Sequence, residues 1–399
     1  MSLAHPAHVP ADRVVDIDIY ALPGQREDFH RAWKALQDAA LPLVWTPRNE
    51  GHWIALGGAV LAEVQSDHER FSNRVIVLPK SVGELHRLIP TTIDPPEHRP
   101  YRKLLNDGMA LARVRRMHDE IRAAAAALIE PVVPLGRCDF TGDFAEILPI
   151  RIFLALVDLP LADAPRLRLW ASAMTRPDPP IPFEAGRQAF FDYLDPIIAA
   201  RREAPGDDLL SRMITADMGG RRLDRDEALS LCTQVLIAGV DTVVNFLGFV
   251  MLFLARDPAA RAALAGMDFN GVLAATHELF RRFGLVTIGR TVRADMAFHG
   301  CTLKAGEMVC VPTQVHGLDE TVNPDPLRVD FARRGARHSA FGSGPHMCPG
   351  QELARAEVAI TIQEWLRRIP DFRLAPDADP GCSGGIVGQV NRVILEWDR

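Results

Sequence analysis

Cysteine is scarce in this chain and is not arranged for cross-linking. Only six cysteines occur in 399 residues, and no two of them have the C-x-x-C spacing that is typical of zinc sites and redox dithiols. A disulfide scaffold and a structural zinc module are therefore excluded. A single cysteine without such a partner is by default a small buried apolar residue, and we expect this of about five of the six.

The chain also lacks the marks of a secreted, membrane-spanning or nucleic-acid-binding protein. Its longest nearly apolar stretch, residues 243–255, is shorter than the roughly 20 residues that cross a bilayer. Residues 1–16 lack the basic segment and apolar run of a secretory signal. The formal net charge of -6 gives no general attraction to nucleic acid or anionic lipid. We predict a cytoplasmic protein without these partners.

Apolar residues at helical spacing are abundant. They make up 48% of the sequence, which allows a large core, and no linker or internal repeat marks a boundary, so we predict one domain over 1–399 and a monomer. The spacing predicts helices at 110–129, 165–174, 183–202, 224–256, 271–283 and 351–369. Short strands are predicted at 53–56, 59–61, 291–292, 308–311 and 393–395. The fold class is mainly α with a small β part.

One cysteine lies in an unusual loop. The segment Phe341-Gly-Ser-Gly-Pro-His-Met-Cys-Pro-Gly350 surrounds Cys348 with glycine and proline just before a predicted helix. Glycines allow a backbone to approach a flat ligand closely, and a helix N-terminus stabilises a thiolate. A thiolate is a ligand that suits iron. The alternative is a glycine-rich turn around a buried cysteine.

The whole loop resembles the haem-binding signature of the cytochrome P-450 superfamily, Phe-x-x-Gly-x-His/Arg-x-Cys-x-Gly. The matching residues are Phe341, Gly344, His346, Cys348 and Gly350. The resemblance implies the cytochrome P-450 fold, in which haem b (iron protoporphyrin IX) lies between a long central helix and the cysteine loop. It also implies that Cys348 is the only protein ligand of the iron.

The long predicted helix at 224–256 is apolar nearly all round, except in the segment Ala238-Gly-Val-Asp-Thr242. A buried acid without a partner is costly, so these residues need an explanation. One alternative is a kinked helix with a satisfied Asp–Thr pair. The segment also resembles the oxygen-binding helix of the family, which implies that Gly239 leaves room for dioxygen, that Thr242 hydrogen-bonds it, and that Asp241 helps to deliver protons.

The same resemblance assigns roles to several charged residues. For Asp241 it suggests an ion-pair partner, Arg176 first and Arg168 second. For the haem propionates it implies contacts from His98, Arg102, Arg290 and His346. Glu278 and Arg281 look like the Glu-x-x-Arg element of the family, which has a structural role.

Further segments narrow the resemblance to the bacterial camphor monooxygenase family, among them Leu43-Val-Trp-Thr46, Gly51-His-Trp-Ile54 and Ile89-Pro-Thr-Thr92. This implies an electron route from NADH through a ferredoxin reductase to a small acidic [2Fe–2S] ferredoxin, with dioxygen as co-substrate. Candidate ferredoxin contacts are Arg99, Arg102, Lys103, Arg333, Arg334 and Arg337.

The substrate pocket departs from that family. His86 stands where camphor hydroxylases carry a tyrosine, and further differences are Val77, Gln234, Ala238 and Ile288. Residues consistent with a compact apolar pocket are Thr91, Thr175, Ile237, Val286, Ile386 and Val387. We interpret the substrate as a small terpenoid or norisoprenoid ketone of ionone type; camphor or another monoterpene is the alternative.

Two other classes of protein share a thiolate-bound haem: a sensor that does not turn over, and an enzyme that uses peroxide or rearranges its substrate. Asp241 and Thr242 discriminate between them, because proteins of these classes often lack this acid–alcohol pair. Their presence favours an oxygen-activating monooxygenase.

Overall fold

The computed structural model of the protein describes residues 4–176 and 179–398, so the first three residues of the segment tested for a secretory signal lie outside it. Its α-helices are α1 (Phe29–Ala39), α2 (Gly58–Ser66), α3 (Lys80–Gly83), α4 (His98–Gly108), α5 (Leu111–Ile129), α6 (Leu148–Leu156), α7 (Ala164–Thr175), α8 (Phe183–Glu203), α9 (Leu209–Thr215), α10 (Arg225–Arg256), α11 (Pro258–Ala265), α12 (Phe269–Arg282), α13 (Gln314–Gly317) and α14 (Gln351–Arg368).

The strands are short. They are β1 (Leu43–Thr46), β2 (His52–Ala55), β3 (Phe71–Ser72), β4 (Arg137–Asp139), β5 (Thr287–Val292), β6 (Met296–Phe298), β7 (Cys301–Leu303), β8 (Met308–Pro312), β9 (Arg373–Leu374), β10 (Cys382–Ser383), β11 (Gln389–Val390) and β12 (Ile394–Glu396). Single helical turns occur at Ala11–Arg13, Val133–Leu135, Thr141–Ala145, Leu161–Asp163 and Gly344–His346. The prediction of a mainly α fold with a small β part is confirmed.

All six predicted helices are present, as α5, α7, α8, α10, α12 and α14. The start of α10 shows why the sequence located them well. Asp224, where the prediction began, is the N-cap: its carboxylate accepts a hydrogen bond from the Glu227 amide at 2.8 Å, and the Glu227 carboxylate accepts one from the Asp224 amide at 2.9 Å. This reciprocal capping box fixes the helix start.

Four of the five predicted strands are present, and the fifth is wrong. Residues 59–61 belong to α2 and not to a strand. In α2 the buried side chains include Val60, Leu61 and Val64, which lie on one side of a helical turn. A run of three apolar residues is too short to distinguish a strand from a buried helix, so the tertiary packing decided the outcome.

The contacts divide the described chain into two compact units, and one domain over 1–399 therefore stays a prediction. The first unit comprises residues up to 99, 280–348 and 382–388. Its main sheet has the order β1-β2-β8-β5-β3, with β2 and β8 parallel and the other pairs antiparallel. Trp53 and Ile54 of β2 are fully buried in its core. This sheet holds β5 in a fixed register.

The second unit comprises 100–279, 349–381 and residues from 389 onward, and it is mostly helical. Helix α10 packs against α6, α7 and α8, while α5 packs against α14. By length and composition α10 could cross a membrane, but 72% of its most apolar 18-residue window is buried inside the protein. It is the core helix of this unit.

Candidate functional site

The Cys348 loop is shaped by glycine and by one backbone hydrogen bond. Gly342 and Gly344 have φ of 73° and 69°, a region that favours glycine. The Cys348 amide donates to the Phe341 carbonyl at 2.7 Å, which closes the loop. A Cβ on Gly344 would lie 2.8 Å from Cα of Ser66 in α2. The loop therefore passes so close to α2 that only glycine fits there.

Cys348 differs from the other cysteines in its exposure. Five cysteines are buried, as predicted, and Cys348 is half-exposed. Burial raises the pKa of Cys138 and of Cys232 to about 12, so these thiols stay protonated at neutral pH. A ligand thiolate needs access and an environment that tolerates charge. Of the six, Cys348 meets the requirement of access.

Three residues predicted to contact propionates lie in the first unit. The rings of His98 and His346 lie together, with centroids 4.2 Å apart. The Arg290 guanidinium is buried; its Nη1 donates to the Gly289 carbonyl at 2.8 Å. Within the described residues its Nε has no hydrogen-bond partner. Burial lowers the pKa of Arg290 to about 10, and the Asp94 carboxylate opposes that shift. This buried cation has hydrogen-bonding capacity left for an anion.

The predicted ion pair of Asp241 is present on the second unit. Arg176 Nη2 donates to both carboxylate oxygens, at 2.9 and 2.8 Å, and the two side chains are only 15% and 21% exposed. Asn245, one turn further along α10, donates to Asp241 Oδ1 at 2.9 Å. The second candidate, Arg168, bonds to Glu146 instead, at 2.7 and 2.5 Å. The half-buried acid thus has partners that compensate for its partial removal from water.

A cavity of about 260 Å³ adjoins Asp241. Polar side chains that line it include Thr141, Glu146, Arg168, Arg176, Asn245 and Asn391. A site of this size with several polar groups is suited to hold water. Asp241 therefore lies near the middle of α10 and also lines a polar cavity.

Thr242 and Gly239 lie in a part of α10 that is only half-buried. Thr242 is half-exposed, and its hydroxyl donates to the Ala238 carbonyl at 3.2 Å. The structure shows a steric reason for glycine at position 239 that could not be predicted from the sequence. A Cβ there would lie 2.3 Å from the ring of Phe153 in α6. The close packing of α6 on α10 thus requires glycine at this position.

Gly239→Ala should therefore destabilise the protein by about 1–3 kcal/mol, because the Phe153 ring or the backbone has to move. Gly248→Ala is the matched control on the same helix. A Cβ at Gly248 would meet Val390 at 3.6 Å, an ordinary contact, and alanine is the better helix former. Urea unfolding of the two variants measures the difference. Equal stabilities would contradict this account of Gly239.

The predicted substrate-pocket residues form two groups, one in each unit. In the first unit Thr287 N donates to Ile386 O at 2.8 Å and Val286 pairs with Val387. Gly289 N donates to Ile76 O at 2.7 Å, which brings the neighbouring segment to β5. Further members of this group are Val77, His86, Thr91 and Ile288, of which Val77 and His86 are buried. In the second unit Thr175, Gln234, Ile237 and Ala238 lie on α7 and α10.

Alternation along β5 gives one face a mixed character. Val286 and Ile288 are half-buried, whereas Thr287 and Gly289 between them are buried. Because successive side chains of a strand point to opposite faces, Arg290 shares the face of Val286 and Ile288. Apolar side chains and the buried cation therefore stand side by side.

The predicted Glu-x-x-Arg element lies on α12. Arg281 is fully buried and donates to the carbonyls of Gly317, Pro326 and Arg328 at 2.6, 2.7 and 2.9 Å, which fits a structural role. Glu278, one turn earlier on α12, is buried too.

Of the predicted ferredoxin contacts, Arg99, Lys103, Arg334 and Arg337 are exposed, and Arg102 and Arg333 are half-buried. The predicted propionate ligand Arg102 donates to Asn106 at 2.9 Å.

Sequence reasoning gave no role to three residues around Asp241 and Gly239. Asn245 lies four residues after Asp241, and this helical spacing could have indicated the contact. Glu146 and Phe153 are far away in the sequence, and no local pattern connects them to α10. Only the packing of the second unit shows their contacts.

The comparisons with known proteins agree with the geometry. Residues 272–380 match the family model "Cytochrome P450". The probable cytochrome P450 127A1 of Sinorhizobium fredii is 32% identical over 98% of this chain and 96% of that protein. The chain is a member of the cytochrome P450 family. The cytochrome P450 monooxygenase PikC of Streptomyces venezuelae is 32% identical over 85% of this chain and 82% of its own. The crystal structure of CYP101J2 matches with a TM-score of 0.92 and 46% identity over the whole of both chains.

Membership in the cytochrome P450 family makes the protein a monooxygenase and haem b its cofactor. The residues present fit this group. Cys348 offers an accessible cysteine sulfur, the kind of ligand that haem iron takes in this family. Arg290 offers a buried cation with an unused donor, which suits a propionate carboxylate. Gly350, the last residue of the signature, is the N-cap of α14.

Proposed function

We propose that this cytochrome P450 hydroxylates a small terpenoid or norisoprenoid ketone of ionone type. Electrons pass from NADH through a ferredoxin reductase and an acidic [2Fe–2S] ferredoxin. The observation that carries the oxygen-activating role is the ion-paired Asp241 beside Thr242 in the middle of α10. Haem-thiolate sensors and peroxide-using enzymes often lack this acid–alcohol pair, so its presence supports the proposal.

The proposed roles follow from the contacts of each residue. Cys348 ligates the iron, and the bound haem supplies the redox chemistry that activates dioxygen. His98, Arg102, Arg290 and His346 hold the propionates. The Thr242 hydroxyl donates a hydrogen bond to dioxygen in place of the Ala238 carbonyl. Asp241 moves protons from the polar cavity to the Thr242 side of α10. Between proton transfers, the ion pair with Arg176 holds the Asp241 carboxylate in place.

The pocket favours an apolar substrate. Val286, Ile288, Ile386 and Val387 present aliphatic side chains, and Ile288 shares one face of β5 with Arg290, a predicted haem contact. Only 4% of His86 is exposed, so a ligand atom that contacts its imidazole is shielded from water. A phenol always carries a rotatable O–H donor, whereas a neutral imidazole donates only from the ring nitrogen that its tautomer protonates. We therefore expect the shape of the pocket to select the substrate more strongly than one hydrogen bond to a ketone does.

His86→Tyr tests this reading of the pocket. We expect wild type to bind camphor weakly and a longer terpenoid ketone more tightly, and the variant to regain about two- to tenfold in camphor affinity, the range of one hydrogen bond. Spin-shift titrations of both proteins measure this. Tighter binding of camphor than of every ionone-like ligand by wild type would make a camphor or monoterpene hydroxylase the correct assignment.

The exposed Arg99, Lys103, Arg334 and Arg337 are the proposed contacts of the ferredoxin, since an acidic partner is attracted by exposed cations. We further propose that the enzyme is monomeric and acts in the cytoplasm. The burial of α10, its one helix in the described chain that is apolar enough to span a bilayer, supports a role away from the membrane.

A further inference from the structure

Between residues 228 and 240, α10 has one stripe that the described residues cover only in part. Within residues 228–240 every fourth residue, Ser230, Gln234 and Ala238, is not fully buried, and Gly239 is the only other one. Residues four apart lie on one face of a helix, so these positions form a narrow stripe. The next position on the stripe is Thr242, the proposed partner of dioxygen. A ligand that reaches Thr242 therefore lies along this stripe.

Gln234 is the residue of this stripe whose polar group is not used. Its Oε1 is buried without a hydrogen-bond partner, and its carboxamide forms no hydrogen bond with any described residue. A buried polar atom without a partner destabilises a protein. Thr242, by contrast, satisfies its hydroxyl on the Ala238 carbonyl. In a helix with apolar side chains at most buried positions, packing alone does not explain a carboxamide here.

We infer that Gln234 is the hydrogen-bonding anchor for an oxygen atom of the substrate. The inference rests on the proposed function and defines its substrate class further. A carboxamide presents both donors and an acceptor, so it can donate to a ketone or ether oxygen and can also accept from a hydroxyl. The substrate is thus an oxygenated terpenoid rather than a plain hydrocarbon.

The spacing on the stripe also limits the shape of the substrate. Gln234 and Thr242 are eight residues apart, which is about 12 Å along the helix axis. Ala238 lies halfway between them and is exposed, and its methyl group leaves room for a ligand. A substrate with its oxygen at Gln234 and its oxidised carbon near Thr242 therefore carries these two atoms at separate points along α10 and not on adjacent carbons.

Gln234→Leu removes the carboxamide and keeps a side chain of similar size. The probes are an ionone and the hydrocarbon of the same skeleton without the carbonyl oxygen, each titrated by spin shift into the haem-bound enzyme. We expect wild type to prefer the ketone and Gln234→Leu to lose two- to tenfold of that preference. Affinity for the hydrocarbon should stay the same or rise. Thr233→Val is the matched control, because Thr233 is fully buried on the same helix and its hydroxyl also has no hydrogen-bond partner among the described residues.

Infrared difference spectra of the bound ketone give a second readout that a merely structural role would not move. A hydrogen bond from Gln234 lowers the carbonyl stretching frequency, and the lowering should vanish in Gln234→Leu and persist in Thr233→Val. The inference is wrong if Gln234→Leu keeps both the ketone preference and the lowered frequency, or if wild type prefers the hydrocarbon. These outcomes would leave the thiolate band and dioxygen-dependent turnover intact, so they are distinguishable from a failure of the proposed function.

Discussion

Cys348→Ser is expected to abolish monooxygenase turnover and the Soret band of the reduced carbon monoxide complex that is typical of thiolate-ligated haem. A serine fits the loop, since the hydrogen bond from residue 348 to the Phe341 carbonyl uses the backbone amide. Its hydroxyl is not ionised at neutral pH, however, so it is a poor ligand for iron. The loss should therefore occur without loss of fold, which circular dichroism can verify.

The matched control for this experiment is Cys382→Ser. Cys382 is a buried cysteine of the same unit, and its replacement should leave the position of the Soret band unchanged. Retention of the thiolate band in Cys348→Ser, or its loss in Cys382→Ser, would show that the iron ligand has been assigned to the wrong residue.

Thr242→Ala is expected to separate NADH consumption from product formation. The variant loses the hydroxyl that we propose to hydrogen-bond dioxygen. Without this hydrogen bond, reduced oxygen leaves as peroxide before the substrate is oxidised. We expect the yield of product per NADH to fall by about two- to tenfold, in line with one lost hydrogen bond. Peroxide release should rise by the corresponding amount while NADH consumption continues.

Asp241→Asn should act differently, because it removes a proton carrier and not a hydrogen-bond donor. Positioned proton transfer contributes roughly 10²- to 10⁴-fold to a rate, so turnover should slow by at least about tenfold while the coupling changes less. Thr233→Ala, which removes a buried hydroxyl away from the stripe, is the control for both variants. Wild-type rate and coupling in Thr242→Ala and Asp241→Asn would refute the proposed roles.

The sequence predicted the parts of the site that are encoded locally. The glycines around Cys348 and the capping box at Asp224 depend on residues a few positions apart, so their patterns are visible in one segment. Asp241 could be singled out because an acid is rare in an apolar helix. Its partner Arg176 was predicted from the family resemblance, and the structure confirms the pair.

Features that depend on distant segments were not predictable in this way. The steric demand at Gly239 comes from Phe153 on another helix, and Arg168 is held by Glu146, which no spacing connects to it. Residues 59–61 became part of α2 because packing overrides a short apolar run. The unused carboxamide of Gln234 is likewise a property of its surroundings and not of its neighbours in sequence.

Isotope labelling tests most directly whether this protein is an oxygen-activating monooxygenase. The purified enzyme, supplied with NADH, a ferredoxin reductase, a [2Fe–2S] ferredoxin and the terpenoid that gives the largest spin shift, is run under dioxygen labelled with oxygen-18. Mass spectrometry of the hydroxylated product should show one labelled oxygen atom, and none in product formed from labelled water. A hydroxylated product whose new oxygen comes from water, or no product from any ligand that shifts the spin state, would contradict the account.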